Sequence, residues 1–278
     1  MLNKTNFATT VFSFFVLASC QAQVNEVLIN PEGASVIERI QAPEGFERIE
    51  TTAGSFGYYL QHLTLKPHLS PVMHYNGSTK HNKVHAAVID IPVGNKDLQQ
   101  CADAIMRLRS EYLYSIKTYD KIHFNFTNGF RADYSKWRSG MRIKVAGNTC
   151  SWYNTTNESK SYAAFEKYLE AVFMYAGTLS LSKELVAKPL KDMQIGDVFI
   201  QGGSPGHAII ILDMAINQHS GEKLFLLAQS YMPAQDIHIL INPEDKQLSP
   251  WYSLRFGSNL LTPEWQFNHN NLKQFPKD

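Results

Sequence analysis

The chain is poor in cysteine. It has 3 in 278 residues, at Cys20, Cys101 and Cys150. So few rule out a scaffold stapled by several disulfides. Charge is also sparse. Charged residues are 18% of the chain, and 26 basic against 25 acidic residues leave a net charge of +1. The basic residues are scattered rather than gathered into a patch, which excludes the electrostatic footprint of a nucleic-acid binder. The apolar run at the start, Val11 to Leu17, is too short to span a bilayer. No internal repeat at solenoid or propeller periods is present. The glycine and proline counts, 16 and 12, are ordinary and exclude a low-complexity chain. The H-E-x-x-H metal motif does not occur. What the chain does have is 44% hydrophobic and 12% aromatic residues, enough to bury a sizeable core.

The N-terminus carries a sorting pattern. Lys4 supplies a positive start, Val11 to Leu17 an apolar stretch, and Leu17-Ala18-Ser19-Cys20 follows. Small residues before a cysteine at this place resemble a bacterial lipoprotein signal. The resemblance implies cleavage before Cys20 and a lipid on that cysteine, hence a bacterial envelope protein held to a membrane. Gln21 beside the anchor points to the outer membrane. The expected organisation is a signal peptide over 1–20, a tether over 21–41 and one domain over 42–278. With Cys20 spent on the anchor, Cys101 and Cys150 remain in an oxidising compartment. They can pair or stand apart, and the sequence leaves both open.

Helices are expected early and in the middle, and strands mostly late. Val36–Ile40 and Ser55–Leu60 read as short elements. Leu63–Lys66 alternates like a strand and stops at Pro67. Val84–Ile91 is a strand. Asp97, with Gln100 three residues on, looks like a capping box, opening a helix that runs to Tyr114. Ile122–Phe126 is a strand and Arg131–Trp137 a short helix. Met141–Trp152 is extended. A long helix spans Ser161–Ala176, with Gly177 as its C-cap, and Thr178–Val186 continues as a second helix. Val198–Gln201, His207–Asp213, Leu224–Ser230, Asp236–Leu240 and Glu264–Phe267 are strands. This order predicts an α+β domain with a mainly antiparallel sheet.

The chemistry concentrates around Gly202-Gly203-Ser204-Pro205-Gly206-His207. The histidine opens a strand behind a glycine-rich turn. Counting outward from a turn near 218–219 sets it across from Gln229 or Ser230, within about one residue. Gln229 can accept the imidazole N–H and fix the tautomer. The nucleophile this histidine would serve is Cys101, in the first turn of a helix, where the macrodipole is expected to lower the thiol pKa. Backbone N–H groups there, the Gln99 or Gln100 side chain and the Gly206 backbone can hold an oxyanion or substrate. Cys101 also lies on the apolar stripe of its helix, where a cysteine serves as a small hydrophobe. His85 is a rival base. Asp213 lies about 20 Å along the strand from His207, too far to orient it. His74, His81, His85 and His123 match no metal spacing. Ser204, although Gly202-Gly203-Ser204-Pro205-Gly206 has the letters of G-x-S-x-G, sits in a turn between two strands rather than on a strand-to-helix elbow. No metal or cofactor is expected. Trp137, Trp152, Tyr153, Trp251 and Tyr252 can line a groove or simply pack.

The order nucleophile, base, orienter resembles the papain-like amidases and peptidases of bacterial envelopes, the NlpC-type and CHAP domains. Gly196-Asp197-Val198, Gly206-His207-Ala208-Ile209-Ile210 and Gln100-Cys101 carry the likeness. It implies a papain-like core, with Cys101 as nucleophile, and a cell-wall peptide as substrate. The spacing departs from it. About a hundred residues separate Cys101 from His207, which requires an insertion near Tyr119–Leu185. Over its whole length the chain more closely resembles a bacterial lipoprotein family, domain of unknown function 4846. Asp97–Asp103, Phe173–Ser180, Gly202–Ala208 and Gln229–Gln235 carry that likeness, which implies no particular activity. Beside the hydrolase stands a second class of function, a non-catalytic lipoprotein that binds peptide or glycan.

Overall fold

The computed structural model of the protein describes residues 28–155 and 157–276. Cys20 and the expected signal peptide lie outside the described residues. The architecture is mixed α and β, built on one large antiparallel sheet. Among the described residues the sheet has nine strands: β1 (Glu47–Arg48), β2 (His85–Val88), β3 (Val186–Ala187), β4 (Val198–Gln201), β5 (His207–Ile216), β6 (Lys223–Gln229), β7 (His238–Leu240), β8 (Tyr252–Ser253) and β9 (Leu272–Gln274). Their order is β2-β7-β6-β5-β4-β9-β3, with β1 added to β5 and β8 to β6. The helices are α1 (Val36–Arg39), α2 (Phe56–Gln61), α3 (Cys101–Ser115), α4 (Tyr134–Arg138), α5 (Tyr162–Tyr175) and α6 (Thr178–Glu184). No helix among the described residues is long and apolar enough to cross a membrane.

The central strands are buried on both faces, which is why β5 reads as a nearly unbroken apolar run. Alternation then sorts its residues. Ala208, Ile210 and Leu212 join Ala228, Ile105 and Leu169 in the larger core, under α3 and α5. Ile209, Ile211 and Met214 join Phe225, Phe267 and Leu272 in a second core on the opposite face. A bulge interrupts the β5–β6 ladder: Leu226 pairs with Asp213, but the next residue, Leu227, pairs with Ile211. The reversal between the strands is closed by Asn217, whose side-chain oxygen accepts the His219 and Ser220 amides at 3.0 Å each.

Several expectations shift in place. From Leu28 onward the expected tether is part of the body, because Leu28, Val36 and Ile40 are buried in the larger core. Leu63–Lys66 makes only isolated bridges, Thr64 with Ser35 and Leu65 with Ile89. Arg131–Asp133 is a short strand paired with His123–Asn125, and α4 begins only at Tyr134. Gly177 is the N-cap of α6 rather than the C-cap of α5. The end of the chain supplies β9, an unforeseen strand of the main sheet, while Gln266–Asn268 pairs outside it with Asn259–Leu261. The long segment between α3 and β4 forms two small ribbons, 123–133 and 141–154, together with α4, α5 and α6.

Candidate functional site

α3 starts three residues later than its sequence suggests. Gln100 is the N-cap, and its backbone N–H donates to Asp103 Oδ2 at 3.0 Å. The expected cap, Asp97, works elsewhere. Its Oδ1 accepts the Ala234 amide at 2.7 Å and the Gln100 side chain at 3.1 Å. Cys101 therefore occupies the first helical position, and the loop after β6 is tied to the approach of the helix.

His207 and Cys101 reach one place from opposite faces of the sheet. The His207 ring follows the side of Ile209 and Ile211 and lies 4.9 Å from the Tyr231 ring, 5.3 Å from Trp265 and 5.9 Å from Phe267. Cys101 heads the helix that covers the other side. Both line one cleft at the end where β5 and β6 part, after Ile210 and Ala228, the last paired residues there. Ser230 Oγ, just beyond β6, lies 2.9 Å from the Gln99 carbonyl oxygen and holds the helix start in the gap. Ile211 donates its amide to Asp197 on the β4 side. By alternation the Ala208 amide turns toward the gap. That amide acts on the Cys101 thiol together with the amides of Cys101 and Ala102. Cys101, His207 and Gly206 all line one cleft of about 450 Å³, with Asp103, Tyr231 and Trp265.

The histidine is held as expected, by a slightly different register. Continuing the pairing from Ile210 and Ala228 sets Tyr231 opposite His207, so Gln229 is its diagonal neighbour on the same face. The contact still forms, with His207 Nε2 2.8 Å from Gln229 Oε1. The Gln229 amide nitrogen in turn donates to Glu264 Oε2 at 2.8 Å, and Glu264 pairs with Lys80 at 2.7 Å. Gly206 is fixed by space. A Cβ there would sit 2.5 Å from both the Gly203 carbonyl oxygen and Thr178 Oγ1.

The other site residues separate. The Gln99 side chain is buried and directed at Arg107, with its Oε1 3.4 Å from a guanidinium nitrogen, and it lines a different cleft. Gln100 faces the Cys101 cleft, but its amide is engaged by Asp97. His85 is half-buried, and its Nε2 lies 3.2 Å from the Ser70 carbonyl oxygen. Cys101 and Cys150 are both free thiols, so the disulfide left open by the sequence does not form. Among the described residues no group of three or more metal-ligating side chains gathers.

The electrostatics run against the expectation for a helix start. Burial pushes the Cys101 thiol up to about 11, and the Asp103 carboxyl adds to the rise, outweighing the three amides that favour the thiolate. Burial likewise drives His207 down to about 4 despite its bond to Gln229. The Asp103 carboxyl is itself raised well above its ordinary value by burial, and its Oδ1 has no hydrogen-bond partner. The resting cleft is therefore lined by an uncharged thiol and an uncharged imidazole. Sequence reasoning missed Asp103, Glu264 and Lys80. Only Asp103 left a signal, since Gln100-Cys101-Ala102-Asp103 has the spacing of a cap with an acid at the third helical position.

Among known proteins, a family model described as domain of unknown function 4846 matches residues 36–274. No curated protein and no solved structure matches the chain.

Proposed function

We propose, on the premise that the chain belongs to this family, that it is an envelope lipoprotein whose cleft hydrolyses an amide bond in a cell-wall peptide through the Cys101 thiol. One observation carries the reading. A cysteine at a helix start and a histidine with one ring nitrogen engaged by Gln229 open onto the same cleft. The order of parts, a helix bearing the thiol followed by antiparallel strands bearing base and orienter, supports a papain-like core with residues near 119–185 as the insertion. Lipid anchoring at Cys20, on the outer membrane, rests on the signal-like N-terminus. No cofactor enters the reaction.

The uncharged resting pair selects the mechanism. The thiol is not a preformed thiolate, so its proton leaves as the Cys101 sulfur attacks the carbonyl carbon. His207 takes that proton through its second nitrogen, Nδ1. The amides at the start of α3 face the developing oxyanion. His207 then returns the proton to the departing amine, and the C–N bond breaks to leave a thioester. Water attacks the thioester, giving its proton to His207, and the acid and the free thiol re-form.

The same electrostatics favour a second reading, a cleft that binds a peptide or glycan without cleaving it. A thiol near 11 and an imidazole near 4 are far apart for proton transfer. A digest of purified peptidoglycan separates the two. Wild type releases peptide fragments and Cys101→Ala does not if the hydrolase reading holds. Binding by both proteins without release supports the second. On a Cys150→Ser background, alkylation of Cys101 should climb with pH toward a midpoint near 11. A plateau below pH 7 would show a stabilised thiolate and overturn the uncharged resting state.

A further inference from the structure

The cleft's histidine is held by a chain of buried groups reaching well behind it, and the chain's donors and acceptors can be assigned in only one way. It begins at His238, which is fully buried. Its Nδ1 lies 2.9 Å from the Asp236 carbonyl oxygen. A carbonyl oxygen only accepts, so Nδ1 of His238 carries a proton, and its Nε2 presents a lone pair. The Gln229 amide nitrogen lies 3.4 Å from that lone pair and 2.8 Å from Glu264 Oε2. Both neighbours are acceptors. An amide flipped the other way would set its oxygen against both of them and leave its NH2 facing His207. The NH2 group of Gln229 therefore faces His238 and Glu264, and its oxygen faces His207 Nε2 at 2.8 Å. That oxygen accepts, so Nε2 of His207 must donate. In the neutral ring the lone pair is then on Nδ1. Among the described residues Nδ1 has no hydrogen-bond partner.

Glu264 is the strongest member of this chain, because it is the charged acceptor. It is held in turn by Lys80 at 2.7 Å, in a pair whose side chains are only 12% and 8% exposed. Lys80 also lies over the Tyr231 ring, 5.3 Å from its centroid, and that ring packs on His207. We propose that Glu264, fixed by Lys80, is a positioning residue. It locks the Gln229 amide and so sets the tautomer of His207, with the proton on Nε2 and the base at Nδ1. Neither residue reaches the reacting atoms. The catalytic consequence rests on the hydrolase reading, but the tautomer does not.

The test reads the tautomer directly. Long-range ¹H–¹⁵N spectra of the ¹⁵N-labelled full chain give the protonated nitrogen of each neutral histidine, and His207→Gln identifies the signals of His207. Wild type should show His207 protonated on Nε2. Glu264→Gln keeps an accepting oxygen toward Gln229 and should preserve that tautomer. Glu264→Leu should give a mixture of the two. Should Glu264→Leu fail to fold, Lys80→Met combined with Glu264→Leu removes both charges together and should give the same mixture. If peptidoglycan is cleaved, Glu264→Leu should lower kcat about ten- to a hundredfold with little change in KM, and Glu264→Gln should restore it. Wild type protonated on Nδ1, or an unchanged tautomer when both charges are removed, would overturn the proposal. A tautomer that shifts as stated while wild type leaves peptidoglycan intact upholds the positioning role and removes the hydrolase.

Discussion

Strand β5 carries two buried polar side chains, His207 at its first residue and Asp213 farther along, and their surroundings differ. Asp213 is saturated. Arg48 pairs with its Oδ2 at 2.7 Å, while the Gln61 side chain and the Met214 amide reach Oδ1 at 2.7 and 2.8 Å. Arg48 and Gln61 come from β1 and α2, so the carboxylate clamps two outlying elements onto the sheet. His207 has one of its two nitrogens engaged and an open cleft in front of the other. A buried polar group with every partner in place is structural. One left half-satisfied on a cleft that also holds a thiol is the group on which the proposed function rests. Both ends are equally buried, so burial alone does not tell them apart. The partner count does.

Removing the saturated group tests the contrast hardest. Asp213→Ala leaves the Arg48 guanidinium and the Gln61 amide without their acceptor, and should cost about 3–5 kcal/mol, read from the denaturant midpoint. Alkylation of Cys101 in the still-folded protein should be unchanged. A change in that rate would mean the two ends of the strand are coupled.

Acid comes next, and it acts on the other end. Folded His207 titrates near 4 against an ordinary 6.5, and His238 near 3. As pH falls through 6.5 the unfolded chain takes up these protons and the folded chain does not, so stability drops. The loss from His207 ends near pH 4, below which both states are protonated, and amounts to roughly 3 kcal/mol. His207→Leu should remove that share of the acid sensitivity in denaturant curves taken from pH 7 to pH 4. If the slope is unchanged in the variant, the depressed value of His207 is wrong.

At neutral pH His207→Leu should itself cost only about 1–2 kcal/mol, mostly from the Gln229 oxygen left unpaired, less than Asp213→Ala. An equal or greater loss would make His207 as structural as Asp213. The smallest effect belongs to Cys150, half-buried beside the Asn128 amide at 3.2 Å. Cys150→Ser should move the thermal midpoint by the equivalent of less than about 0.5 kcal/mol, which makes it a safe background for the labelling experiments.

Much of the core scaffold was legible residue by residue. The apolar run Ala208–Leu212 and the alternating or apolar stretches at 198–201, 224–230 and 236–240 become the central strands, since a strand buried on both faces has little choice of composition. Ser161 at the start of α5 was equally clear, and its side chain accepts the Ala164 amide at 3.2 Å. The start of α3 was misjudged because Asp97 and Gln100 satisfy the same local pattern as Gln100 and Asp103. The Ala234 amide, distant in sequence, decides between them by claiming Asp97.

At the site, the residue types and the hairpin that carries His207 and Gln229 on adjacent strands were legible in the sequence. A strand pair joined by a short polar turn leaves its register little freedom, but the bulge decided the contact. The register ahead of it would set Gln229 across from Ile210, on the face away from His207, and the one-residue shift turns Gln229 to the His207 side. The tertiary structure decided the rest. That α3 enters the gap where β5 and β6 part follows from the Ser230 bond to the Gln99 carbonyl. That Cys101 is an uncharged thiol follows from burial and from Asp103, which overcome the helix terminus. That the His207 tautomer is dictated from Glu264 and Lys80 depends on two charges far apart in the chain meeting behind Gln229. Helix dipoles, turns and alternation are local and can be read along the chain. Desolvation and long-range pairing exist only once the chain has folded.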